Sequence, residues 1–254
     1  MKLFQRIFFA AVLSGLAAGL AMSAVQQWRV APLILAAEVY ENAAPAEAAA
    51  EHSHEAGTPA HSHEEAAAAH EHDENAWAPQ DGPERIAYTV LANLLGCIGF
   101  AFLLAAVSVL SGIEITARNG VIWGLGGFVA LQLAPALGLP PELPGMPAAD
   151  LVARQVWWVG TALATGAGML AIAKLRNWTG IVIAAVLILA PHVIGAPQLA
   201  GEHATAVPAN LATGFAAATL ATGALFWLTV GPLLGWLNER FAKSPAFALK
   251  GAHA

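Results

Sequence analysis

Apolar residues along this chain fall into long unbroken runs, with no strict alternation and no one-sided helical stripe. The runs cover residues 7–25, 86–110, 121–139, 156–173, 178–194 and 211–237. Each approaches or exceeds the roughly 20 residues a helix needs to cross the hydrocarbon core of a bilayer. They predict an all-α integral membrane protein of about six transmembrane helices. The 178–194 run is the shortest and carries Pro191 near its end, so it spans with the least margin. The first run follows Lys2 and Arg6 and ends near Ala21-Met22-Ser23-Ala24, a composition shared with cleavable secretory signals. Its apolar core exceeds the roughly 7–15 residues of a signal, and a second apolar run, 30–37, follows it, so a retained first helix with an interfacial extension is expected.

Between 38 and 84 the pattern dissolves. Ala, Glu, His and Pro dominate, periodicity is lost, and nothing there could build a core. The expected organisation is therefore 1–37, the first helix and its extension; 38–84, a long His-rich extracytoplasmic loop expected to be disordered; 85–239, a five-helix bundle; and 240–254, a cytoplasmic tail.

Composition agrees with the pattern. Of 254 residues 57% are hydrophobic and 11% charged, and mean hydropathy is +0.61. Soluble domains carry charge on about a quarter of their residues, so a water-facing globule is excluded. Orientation follows from the basic residues. With the N-terminus in the cytoplasm, Lys2, Arg6, Arg118, Lys174, Arg176, Arg240, Lys243 and Lys250 lie inside, and only Arg29, Arg85 and Arg154 outside. Eight against three obeys the positive-inside rule, and dropping the fifth span would break it. Both termini are then cytoplasmic and the long loop faces the periplasm or the cell exterior. Glu114 and Glu239 are the two acids left inside.

That loop contains the most distinctive chemistry. His52-Ser53-His54-Glu55, His61-Ser62-His63-Glu64 and His70-Glu71-His72-Asp73 recur every nine residues, using six of the nine histidines. Neutral imidazole suits borderline divalent metals, and an adjacent carboxylate ligates or fixes the ring tautomer. The bland reading is polar filler in a low-complexity tract; three matching His-x-His pairs favour metal contact. Alternate residues share a side only in an extended chain, so a site would draw on more than one pair. With Cys97 as the single cysteine, no disulfide and no Cys-x-x-Cys site can form. A labile, exchangeable site is expected.

Polar groups inside the spans are few. Asn93 and Gln132 could pair across helices, as packing contacts or on a transport path. His192 lies in Pro191-His192-Val193-Ile194-Gly195-Ala196-Pro197, where the prolines and glycine weaken the helix and can turn carbonyls to a cavity. It is either a packed histidine or a ligand. Pro135 to Pro147 is too apolar for a solvated loop and too proline-rich for a helix, which suggests a structured cap or re-entrant segment. Glu142, Asp150, Arg154 and Gln155 accompany it, and with His192, His203 and the repeats they share one membrane face. An acidic, imidazole-lined vestibule is one reading. The other is an Asp150–Arg154 ion pair, four residues apart, capping the fourth span. Trp157 and Trp158, and Trp123, Trp178 and Trp236, fit aromatic belts at the two interfaces.

Several segments together resemble the CbtA family of bacterial cobalt transporter subunits. They are Gln26-Gln27-Trp28, the 32–38 run from Pro32 to Glu38, the His-rich loop, the 132–145 run from Gln132 to Gly145, Ala153-Arg154-Gln155-Val156-Trp157-Trp158, the 191–197 run and Ala224-Leu225-Phe226-Trp227. The resemblance implies an inner-membrane protein, Co2+ as cargo for cobalamin synthesis, and a small single-helix, His-containing partner of the CbtB type. From the residues, the expected metal-contacting set is His52, His54, His61, His63, His70, His72, His192, Glu142 and Asp150. Ni2+ or Zn2+ would suit the same ligands, and no permanently bound cofactor is expected. No Gly-x-x-x-x-Gly-Lys-Ser/Thr loop, His-Glu-x-x-His motif or basic patch occurs, so no nucleotide hydrolysis, enzymatic activity or nucleic-acid role is expected. The alternative to an uptake subunit is a non-transporting accessory or sensor that delivers metal to a separate permease.

Overall fold

The computed structural model describes residues 2–43, 77, 79–199 and 205–244. All regular structure among them is helical, in seven helices: α1 (Lys2–Arg29), α2 (Ala31–Ala43), α3 (Pro83–Ser111), α4 (Gly120–Ala136), α5 (Leu151–Leu175), α6 (Trp178–Ile194) and α7 (Ala209–Ala242). Four of these, α1, α3, α5 and α7, are long and apolar enough to cross a membrane; α4 and α6 are apolar but have 17 residues each. At 1.5 Å per residue 17 residues reach about 26 Å, just short of the roughly 30 Å hydrocarbon core. The helices neighbour one another in the order α3, α1, α7, α4, α5, α6, so the α5–α6 hairpin stands at one edge.

Side chains are distributed in the inverse of a soluble protein. The buried face of α1 is Ala10, Ala11, Ser14, Gly15, Ala18 and Gly19, while Leu110, Val193 and Ile194 are more than 80% exposed. With lipid outside, apolar burial drives little, and helices associate through small residues that let backbones approach. A Cβ on Gly15 would lie 2.6 Å from Ile98 Cα. Between α4 and α7 the approach is closer still: Cβ atoms on Gly120, Gly124, Gly231 and Gly235 would all fall on backbone of the facing segment. Phe226, Trp227 and Val230 fill the space around this crossing.

Two departures from the sequence pattern have local causes. The expected single extension at 30–37 is a separate helix. Pro32 has no N–H to offer Trp28, so the chain turns at Val30 and α2 starts, running on to Ala43 through residues assigned above to the loop. At the far side of that loop α3 begins at Pro83, where a proline in the first turn costs no hydrogen bond. The second departure is in α4. Residues Val129–Leu133 form a π turn, closed by the Ala134 N–H on the Val129 carbonyl. Pro135 comes two residues later, and the widened turn relieves the clash of its ring with the preceding carbonyls.

The Pro-rich 137–150 segment is ordered and packed. Leu143 is 3% exposed in a small cluster with Val30, Ala37, Val207 and Phe215, and Leu33 and Met146 flank it. Thr205 Oγ1 donates to the Gly145 carbonyl at 3.4 Å. The segment is thus a cap, held by α2 on one side and the start of α7 on the other. The six loop histidines, and His203, lie outside the described residues.

Candidate functional site

The cap closes over the end of the α5–α6 hairpin. Asp150 has non-helical backbone and is the N-cap of α5, its Oδ1 accepting from the Ala153 N–H at 2.8 Å. That is the usual use of aspartate at a helix start, and of the two readings of this segment it removes the Asp150–Arg154 pair. Freed from Asp150, Arg154 Nη2 donates instead to Glu142 Oε2 at 2.6 Å, tying α5 to the cap. Both side chains are about three-quarters buried. Glu142 and Arg154 line a cleft of ≈ 350 Å³ with Gly138, Pro140, Pro197 and Gln198. Neither Asp150 nor His192 lines it, although Ala149, beside Asp150, does.

His192 is reached through one ring. Trp157, three residues on from Arg154, meets the His192 ring edge-to-face at 5.9 Å and 71°. The indole Nε1 donates to the Pro191 carbonyl at 3.2 Å, which also accepts from the Gly195 N–H at the end of α6. The other edge of Trp157 lies on Gly138, where a Cβ would sit 2.5 Å from it. Trp157 therefore touches both the cleft-lining Gly138 and His192. His192 Nε2 is buried with no hydrogen-bond partner among the described residues, as is Arg154 Nε. An imidazole nitrogen in that state is a lone pair or an N–H without a use in the fold.

Other polar groups separate into packing and open cases. Asn93 Nδ2 donates to Ser23 Oγ at 3.1 Å and to Gln26 Oε1 at 2.5 Å, clasping α3 to α1. That satisfies it as a packing residue. Near it Arg85 bridges α3 to Glu38 of α2 and to Asp81. Gln132 differs. It sits on the π turn and packs on bare Gly223 of α7, and its Oε1, like Thr165 Oγ1 and Thr219 Oγ1, is buried with no hydrogen-bond partner among the described residues. Among the described residues no three His, Cys, Asp or Glu side chains converge.

Glu142, Asp150 and His192 stand out in the sequence, but the Glu142–Arg154 partnership does not, because it depends on a cap whose fold has no periodic signature. The opposite end of the bundle carries little sequence signal. There Arg6, Glu114 and Asn238 meet in a second cleft; the one signal was that Glu114 stands among the basic residues.

A family model described as "Probable cobalt transporter subunit (CbtA)" matches residues 4–239. No curated protein and no solved structure matches the chain.

Proposed function

Because the chain belongs to the CbtA family, we propose that it is the membrane subunit through which a divalent transition metal, Co2+ first among candidates, is taken into the cell. In this reading all six apolar helices cross the membrane. α4 and α6 are short spans, the termini lie in the cytoplasm, and the cap and His-rich loop face outward. The positive-inside asymmetry supports that orientation. Cobalt taken up this way would serve cobalamin synthesis, and a small His-containing CbtB-type subunit would complete the assembly.

The observation that carries the reading is His192 Nε2, buried and unpartnered one tryptophan away from a carboxylate-bearing cleft. A neutral imidazole is a strong ligand for Co2+, Ni2+ and Zn2+. Glu142 attracts the cation at the cleft, Asp150 adds negative charge at the rim, and Arg154 neutralises Glu142 until a cation competes for it. His52, His54, His61, His63, His70 and His72 raise the local metal concentration by weak multivalent binding. Replacing all six with alanine raises the half-saturating cobalt concentration about three- to tenfold and leaves the maximal rate unchanged, measured as uptake in sealed proteoliposomes. An unchanged half-saturation would remove the loop from the uptake path.

Glu142 can be separated from its structural partner. Glu142→Gln leaves a guanidinium three-quarters buried without its counter-charge, a loss of about 1–2 kcal/mol after allowing for remaining solvent. Adding Arg154→Gln restores most of that stability. Uptake stays impaired in both variants, because the carboxylate is gone from both. Thermal unfolding followed by a thiol-reactive dye at Cys97, which is 3% exposed, measures the first effect, and uptake the second. Recovery of uptake in the double variant would make Glu142 a structural residue.

The gathering of six of the nine histidines into one segment, apart from the apolar runs, favours a second reading. In it the chain binds metal outside and hands it to a separate permease. The two readings differ in whether the chain alone accumulates cobalt inside vesicles.

A further inference from the structure

The Glu142–Arg154 cleft holds an unequal set of donors and acceptors. A guanidinium presents its N–H donors as a planar fork suited to more than one acceptor. Among the described residues that of Arg154 has a single acceptor, Glu142 Oε2 at 2.6 Å, and its Nε is buried with no hydrogen-bond partner. The side chain is three-quarters buried and lines the cleft, so solvent satisfies only part of the fork. Glu142 is the one acidic side chain in that lining; beyond Arg154 and Gln198 the rest is glycine, alanine, leucine and proline. A divalent transition metal fills about four to six coordination positions, and among the described residues no three His, Cys, Asp or Glu side chains converge to fill them. A bare Co2+ on Glu142 would therefore keep most of its water. It would also leave the Arg154 guanidinium beside a doubly charged ion without its one acceptor, and removing one partner from a largely buried pair is the costly way to break it.

We propose that the cleft admits the metal as a complex with a small carboxylate-bearing chelator: Glu142 takes an open position on the ion in exchange for water, and a carboxylate of the chelator takes the place of Glu142 on Arg154. The guanidinium then has a counter-charge throughout the exchange. Arginine suits carboxylate oxygens better than any other side chain, because its fork matches their geometry. A carboxylate that ligates the ion through one oxygen keeps the other for that fork. The cleft volume of ≈ 350 Å³ lies at the small end of the roughly 300–1,000 Å³ of ligand pockets, which fits a chelate of amino-acid size. The identity of the metal rests on the transport reading above; recognition of a chelator carboxylate by Arg154 does not depend on transport.

Equilibrium dialysis of the detergent-solubilised full-length chain tests this, with all six loop histidines replaced by alanine so that the loop adds no imidazole. Radioactive cobalt is offered as the free ion, as its equimolar complex with iminodiacetate, and as its equimolar complex with diethylenetriamine, a chelator of equal denticity without carboxylates. The iminodiacetate complex is expected to bind at least about tenfold more tightly than either other form, with labelled iminodiacetate retained in step with the cobalt. Arg154→Gln is expected to abolish that preference. Arg154→Lys, which keeps the charge and loses the fork, is expected to lose most of it, and decides the matter if the Gln variant does not fold. Free cobalt or the diethylenetriamine complex bound as tightly as the iminodiacetate complex overturns the proposal, and so does a preference unchanged in a folded Arg154 variant. Uptake into sealed proteoliposomes separates this from the transport reading. If no form of cobalt accumulates there, the transport reading fails and dialysis still decides what the cleft recognises; if cobalt accumulates but dialysis shows no preference for the carboxylate complex, the transport reading stands and this proposal falls.

Discussion

His192→Phe is expected to cut cobalt uptake at limiting concentration by at least about tenfold, equivalent to about 1.4 kcal/mol, while leaving the protein as stable as before or more so. The contrast follows from the surroundings of the ring. Phenylalanine keeps the edge-to-face contact with Trp157 and the packing beside Pro191, but has no nitrogen. In the wild type a buried, unpartnered Nε2 costs about 1–3 kcal/mol of desolvation, and the substitution removes that cost. A residue present only for packing would tolerate Phe with uptake intact. His192→Ala is less informative, because it also opens a cavity beside Trp157. Uptake by the Phe variant at the wild-type rate, with normal folding, would take His192 off the path.

The second large effect is structural. Gly124→Leu is expected to abolish the folded protein, at a cost above about 4 kcal/mol. A Cβ at Gly124 would fall on the carbonyl oxygen of Trp227, and the next helical turns meet in the same way, Gly231 against Gly120 and Gly235 against Thr116. These neighbours are backbone and cannot rotate aside, so α4 and α7 must separate, and with them the cap-bearing half of the bundle. Two controls isolate the cause. Gly126→Ala would meet only Met169 Sδ, at 3.8 Å, and Gly96→Ala nothing within 4 Å. Both are expected to fold normally, with unfolding temperatures at or slightly above wild type because alanine favours helix over glycine. Yield of monodisperse protein and dye labelling of Cys97 on heating measure all three.

These two residues also show what the sequence could and could not convey. Gly120 and Gly124 lie four apart in the sequence, and small residues at that spacing mark close helix packing. The partner helix did not, since nothing in a spacing says that Gly231 and Gly235 of α7 lie opposite. The long helices α1, α3, α5 and α7 were readable because apolarity unbroken over about 20 residues is the mark of a chain that meets lipid. The π turn and the early end of α4 were not. Apolarity continues through Leu139, and only Pro135 and the cap contacts of the following residues stop the helix.

At the candidate site, His192 and Glu142 were conspicuous because ionisable groups near a bilayer are rare. The partner of Arg154 stayed open between two readings, because a spacing of four satisfies the rule for helical ion pairs. That rule applies inside a helix, and Asp150 sits at the boundary, where its carboxylate is drawn to the Ala153 N–H. The Arg6–Glu114–Asn238 cleft joins residues 6, 114 and 238 across three segments, a convergence that no local pattern encodes.

Accumulation of radioactive cobalt inside sealed proteoliposomes containing this chain alone decides whether the chain itself carries the metal across the membrane. Leaky vesicles of the same preparation serve as the measure of binding. Time-dependent accumulation well above that binding level is expected, released on permeabilising the membrane and reduced by competing nickel or zinc. Cobalt retained only to the level of the leaky vesicles would contradict it, leaving the chain a metal-binding accessory and placing the path in another subunit.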